Sequence, residues 1–208
     1  MEAAVVLLGG FIVHLTRHHN PLFEPDLFRI RSFRGSAVVA IAFSTAFGAM
    51  LLSIVLWMQN VWHWSPLHTG LAFAPGPLMV PLFGLAFTGR LIGRFGPARV
   101  IGVGSAIYAI GIAWWALRAG LRPDYLGQVL PGTLMTGIGV GLTMPTFMAT
   151  GASALPPQAF ATGSAVLNML RQVGLAVGVS VFVAVVGTPA TPHAALSAFE
   201  HGWEVIAA

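Results

Sequence analysis

Long apolar runs alternate with short polar stretches along the whole chain. Five runs, at residues 35–57, 69–89, 100–117, 126–155 and 160–187, reach or approach the roughly 20 residues that a helix needs to cross a bilayer. Strands are far shorter, so runs of this length predict helices. A shorter apolar stretch at residues 3–15 and another at 194–208 each predict a partial helix. The expected architecture is all-α, a polytopic transmembrane bundle of five full spans flanked by partial helices, and the ends read as those of an excerpt.

The polar connections carry the topology. Residues 17–34 form the longest, with Arg17, Arg29, Arg31 and Arg34 beside Pro21, Glu24, Pro25 and Asp26, and are expected as a connector between subdomains. Residues 1–16 then belong to a first partial helix and residues 35–208 to the main helical domain. The connection at 58–68 is flanked by Trp57 and contains Trp62 and Trp64, which favour the headgroup level. Arg90, Arg94 and Arg99 mark the next connection, and Arg118, Arg122 and Asp124 the one after it. Placing 17–34 and 90–99 together gathers seven arginines on one face of the membrane. The positive-inside rule makes that face cytoplasmic and the protein a multi-pass protein of the cell membrane.

Composition narrows the class further. Hydrophobic residues make up 56% of the 208 positions and charged residues 8%. A soluble domain carries about 25% charged residues, so a chain this poor in charge could not cover its surface in water. Its bath is the lipid bilayer. The net charge is +4, every basic residue is arginine, and no basic stripe interleaves with aromatics, so no nucleic-acid partner is expected. The absence of cysteine excludes disulfides and thiolate chemistry. His14, His18 and His19 have metal-ligand spacing on a helix, but no second histidine box completes a site, and they read as a headgroup-level helix end. Asp124 is the one acid between Asp26 and Glu200, which leaves no acid–base pair within the spans. Neither enzyme, metal nor cofactor is expected.

Three segments carry a family resemblance. Residues 89–99 read G-R-L-I-G-R-F-G-P-A-R, a basic turn between apolar runs whose Gly89, Gly93 and Gly96 permit a tight reversal. It resembles the cytoplasmic signature loop of the major facilitator superfamily, G-x-L-x-D-R-x-G-R-R, through Gly89, Leu91, Arg94, Gly96 and Arg99, with Arg90 beside them. Gly93 stands where that pattern has aspartate. Residues 56–75 resemble a stretch of the fourteen-helix drug:proton antiporters, the EmrB/QacA-like branch, through Gln59, Val61, Ser65, Pro66, Gly70, Leu71 and Pro75; Trp64 replaces a usual glycine. Residues 137–178 resemble the penultimate helices of that branch through Gly137, Gly141, Pro145, Pro156, Gly163, Arg171, Gln172, Gly174 and Gly178.

The same residues have physical readings of their own. Gly137-x-x-x-Gly141 and Gly174-x-x-x-Gly178 are small-residue faces for close helix packing. Pro75, Pro77, Pro81 and Pro145 interrupt backbone donors within apolar runs. Arg171 lies about eleven residues into its span, where a charge costs roughly 2.5–3.5 kcal/mol. It is expected to join a polar cluster with Asn168, on the same helix face, and with Gln172, lining a cavity or another helix rather than snorkelling. Gln59 at a helix end is a further cavity candidate. Phe43, Phe47, Met50, Phe73, Met79, Met144, Phe147 and Met148 supply the adaptable surface that apolar ligands favour, although most are expected in packing or lipid contact.

The resemblance implies the C-terminal half of a proton-coupled multidrug efflux transporter working by alternating access. Its implied partners are a missing N-terminal half, on the same or a separate chain, a small apolar or cationic substrate, and a proton. The one acid within residues 35–187, Asp124, lies in a loop, so these spans supply no group to carry that proton; the resemblance places the coupling acids largely in the N-terminal half, and this half is expected to be inactive alone. A half-size protein that pairs with another half, or a non-transporting scaffold or channel, remains the alternative.

Overall fold

The computed structural model describes residues 25–186 and 192–207. The apolar stretch at 3–15, the histidine cluster and residues 17–24 of the 17–34 connector lie outside the described residues. Among the described residues the secondary structure is entirely helical. The helices are α1 (Arg31–Asn60), α2 (Pro66–Phe73), α3 (Pro75–Ala86), α4 (Thr88–Phe95), α5 (Pro97–Arg118), α6 (Leu130–Ser153), α7 (Phe160–Val186) and α8 (Pro192–Ala207).

Prolines and one glycine set the breaks. Pro66 opens α2 behind Ser65, whose side chain accepts a hydrogen bond from the His68 N–H. Pro75 and Pro77 lack the donors that would continue the ladder, so α2 and α3 are separated at Ala74 although they form one apolar segment, Pro66–Ala86. Gly96 takes φ 81°, a conformation that side chains disfavour, and Pro97 begins α5 directly after it. The basic segment at 89–99 is therefore no extended loop. Most of it is the helix α4, and the reversal is confined to Gly96. A 3-10 turn at Pro25–Arg29 leads into α1, which places Arg31 and Arg34 in the first turn of that helix.

Four helical segments among the described residues are long and apolar enough to span a membrane: Arg31–Asn60, Pro66–Ala86, Pro97–Arg118 and Pro157–Val186. The fifth expected span, α6, has 24 residues, about 36 Å of helix, and so has the length. It is less apolar because Thr133, Thr136, Thr143 and Thr146, together with its glycines, are buried against neighbouring helices. A central helix meets protein rather than lipid, and the hydroxyls of Thr133, Thr136 and Thr146 donate to backbone carbonyls three or four residues back, Thr133 to that of Val129 at 2.9 Å; the buried Thr143 hydroxyl has no partner among the described residues.

The bundle packs α1 against α7, and α6 against both α3 and α5. Burial separates these roles. Of the apolar window in Arg31–Asn60, 44% is buried, against 11% for Pro66–Ala86 and 17% for Pro157–Val186. Thus α3 and α7 present most of their surface outward, while α1 and α6 form the centre. At one end α8 inserts Phe199 and Trp203 beside Trp57 and Trp115, with ring centroids 5.3 Å apart for Trp57–Trp203 and 6.2 Å for Trp115–Trp203. Trp57 and Trp62, at the end of α1, are both buried in this aromatic cluster. Their burial follows from convergence of helix ends that are distant in sequence: Trp62 Nε1 donates to the Gly120 carbonyl and Trp203 Nε1 to Ser53 Oγ, each at 2.9 Å. Trp64 stays half-buried and stacks on His68 at 4.0 Å.

Candidate functional site: an apolar recess between α1, α3 and α6

Glycine faces on α6 bring the helices close. A Cβ at Gly137 would collide with the Gly76 carbonyl of α3, and one at Gly141 would lie 2.9 Å from the Val80 carbonyl. On the other side of α6, Gly132 and Gly139 meet α5 at Gly111 and Gly104. Gly174 and Gly178 of α7 lie against α1, where a Cβ at Gly174 would approach the Ile41 carbonyl to 2.7 Å. All these contacts are backbone on backbone, the arrangement that gives dispersion its full effect where lipid offers no hydrophobic drive. The α5–α6 set was not singled out in the sequence. Its seven-residue spacings, Gly104 to Gly111 and Gly132 to Gly139, were the signal available.

Where α3 leans on α6, the prolines hold its other face away from α1 and leave a recess of about 290 Å³. Phe47, Met50 and Leu51 of α1 form one wall, Phe73, Pro77 and Pro81 of the α2–α3 segment a second, and Val140 and Met144 of α6 the back. Thr136 is the one side chain with a polar atom among its lining residues, and its hydroxyl is already bonded to the Thr133 carbonyl at 3.0 Å. Among the described residues the recess therefore has no charged lining group. It can accept aromatic and aliphatic surface, and flexible Met50 and Met144 let its shape adapt.

The predicted residues divide around this recess. Phe47, Met50, Phe73 and Met144 line it. Phe43 instead packs on Tyr108, 4.9 Å between ring centroids, and Phe147 is fully buried in the core. Gln59 is half-buried near the end of α1 and does not reach the recess. Arg171 and Asn168 are brought together on α7: Nε and Nη2 of Arg171 donate to Asn168 Oδ1 at 3.3 and 3.1 Å. Gln172 beside them is exposed. With Ser164 these residues form a polar edge on α7, next to the exposed valines 173 and 177. No residue of α7 lines the recess, so the polar pair and the apolar recess are separate features. Among the described residues no group of three or more His, Cys, Asp or Glu could hold a metal ion.

Long apolar helices, packed on glycine faces around a central helix and leaving an apolar recess, define a membrane-embedded, multi-pass helical bundle. Comparison with known proteins gives its family. Residues 3–186 match the Major Facilitator Superfamily, and the chain belongs to that family of transporters. It is similar to a multidrug resistance protein B homolog of Mycobacterium tuberculosis, 27% identical over 84% of this chain and 32% of that protein. It is also similar to a puromycin resistance protein of Streptomyces alboniger, 30% identical over 95% of this chain and 39% of the relative. A multidrug export protein of Haemophilus influenzae is 30% identical over 85% of this chain and 34% of its own length. The chain thus spans about a third to two-fifths of the length of these relatives.

Proposed function

We propose that this chain is the C-terminal half of a proton-coupled multidrug efflux transporter, in which it rocks against an N-terminal half to expose a shared site alternately on the two sides of the membrane. The observation that carries this reading is the recess between α1, α3 and α6, adaptable and without a charged wall. The names of the relatives, resistance and export proteins for drugs, support the same direction of transport. The substrate is a small apolar or cationic molecule whose apolar part rests on Met50, Phe73 and Met144. Arg171, Asn168, Gln172 and Gln59 are the polar candidates for the wider cavity, and Gly137, Gly141, Gly174 and Gly178 the surfaces on which helices slide. The coupling carboxylates and the second wall belong to the other half, and the exposed faces of α3 and α7 are where it rests. Residues 1–16 end a preceding helix, 17–34 connect it to the domain at 35–208, and the arginines of 17–34 and 90–99 lie on the cytoplasmic side of the plasma membrane.

The absence of cysteine from these 208 residues allows a direct test once any cysteine of the other half is replaced. A Met144→Cys variant, assembled with its other half, should react with N-ethylmaleimide and be protected by the lipophilic cation tetraphenylphosphonium. Reaction at the same rate with and without the cation, or no reaction at all, would remove the recess from the transport path.

A further inference from the structure

A second groove, of about 250 Å³, opens at the opposite flank of α6, away from the recess. Its apolar walls are Leu91 and Phe95 of α4, Val100 and Val103 of α5 and Leu142 of α6, and Arg99 stands at its mouth. Leu91 and Phe95 are four residues apart, so α4 turns one apolar edge to the groove. Thr88 holds α4 in place by donating to the Phe83 and Gly141 carbonyls at 3.1 and 3.3 Å. Phe95 and Val103 are 44% and 56% exposed, so the groove is open along its outer side.

The charge at its rim is one-sided. Arg94 lies over the Phe95 ring at 5.4 Å and so sits beside the groove. Arg99 is exposed and has no hydrogen bond or ion pair among the described residues. Arg90 is turned back along α4 to the Ala86 carbonyl. No acidic residue lies anywhere in 88–99, and the glycine at 93 adds none. Two arginines next to an apolar channel, at the end of membrane-spanning helices, are matched by a ligand with a negative head and a hydrocarbon tail.

We propose that this groove binds one anionic phospholipid, its phosphate held by Arg99 and Arg94 and one acyl chain laid along Leu91, Phe95 and Val103. The lipid then fills the wedge between α4, α5 and α6 and ties the Gly96 reversal to the bilayer. This site is independent of the drug-transport reading and stands or falls separately from it.

The test is competitive retention. The purified chain in detergent is offered equal amounts of phosphatidylglycerol and phosphatidylcholine with the same acyl chains, and bound lipid is counted by native mass spectrometry. Phosphatidylglycerol should be retained in preference. Arg99→Gln should lower its retention about fivefold, the effect of one arginine at a membrane surface. Arg122→Gln, which removes the same charge at the other end of α5, should leave retention unchanged. Val103→Trp, which blocks the channel and keeps both arginines, should lower retention of both lipids; Leu142→Trp blocks it from the other wall if Val103→Trp fails to fold. Equal retention of the two lipids by the unmodified chain would overturn the proposal, as would equal losses in Arg99→Gln and Arg122→Gln. Displacement of phosphatidylglycerol by millimolar inorganic phosphate, with no effect of either tryptophan, would mean a soluble-anion site and would overturn it too.

Discussion

Adding one methyl group to Gly139 tests how the bundle is held together. A Cβ there would lie 2.6 Å from the Gly104 carbonyl oxygen, 2.6 Å from Tyr108 Cβ and 2.8 Å from the Tyr108 backbone nitrogen. Two of these atoms are α5 backbone and the third is fixed to it, so no side-chain rotation relieves the clash. Overpacking costs about 1–3 kcal/mol, and an immovable backbone puts Gly139→Ala near the top of that range. Alanine returns about 1 kcal/mol through its better helix propensity. The net expectation is a loss of about 2 kcal/mol, a shift of roughly 30-fold in the unfolding equilibrium. Gly102, on the adjoining helix α5, is the internal comparison: a Cβ there meets nothing within 4 Å. Gly102→Ala should therefore stabilise by about 0.5–1 kcal/mol from propensity alone. The measurement is unfolding of the chain in mixed micelles, followed by circular dichroism as the fraction of denaturing detergent rises. If the two substitutions shift the midpoint in the same direction, close backbone contact between α5 and α6 is not what holds that interface.

Other substitutions probe single interactions. Trp203→Phe keeps the ring in the aromatic cluster but leaves Ser53 Oγ without the donor now 2.9 Å away; it should cost about 1–2 kcal/mol in the same assay, and Ser53→Ala in that background should add little. Thr88→Val removes the hydroxyl that joins α4 to the Gly141 carbonyl; a loss of about 1 kcal/mol, with faster proteolysis at Arg90 or Arg94, is expected. Arg171→Ala, made in a protein containing both halves, should lower drug efflux while membrane insertion is retained, and Arg171→Lys should restore part of it. Unchanged efflux in Arg171→Ala would mean that the side chain only snorkels to the interface.

Much of the fold is legible in one dimension. The runs at 35–57, 100–117 and 160–187 correspond to α1, α5 and α7 within a few residues at each end. The segment at 69–89 is also found, and Pro75 and Pro77 announce its interruption. The arginine segment is harder. Glycines at 89, 93 and 96 suggest a loop, yet only Gly96 leaves the helical region, because Gly89 and Gly93 are merely permissive while Gly96 is followed by a proline. The recess is half legible. Phe47, Met50, Phe73 and Met144 are of the right type, but Phe43, Met79 and Phe147 are equally so, and only the packing sorts them.

Hydropathy alone determines that this chain belongs in a membrane, where its spans lie to within a few residues, and which segments carry the charge. These follow from transfer between water and lipid, a cost that each segment meets on its own. Tertiary structure decides everything that depends on helix faces. Glycines at 137 and 139, two residues apart on α6, are about 200° apart around the helix and serve different neighbours, α3 and α5. Tryptophans as distant as Trp57 and Trp203 form one cluster, and α4 folds over a groove that no local pattern reveals. In lipid every apolar face is equally well solvated, so hydropathy does not choose among them. Steric fit between backbones does, and that fit exists only once the helices have met.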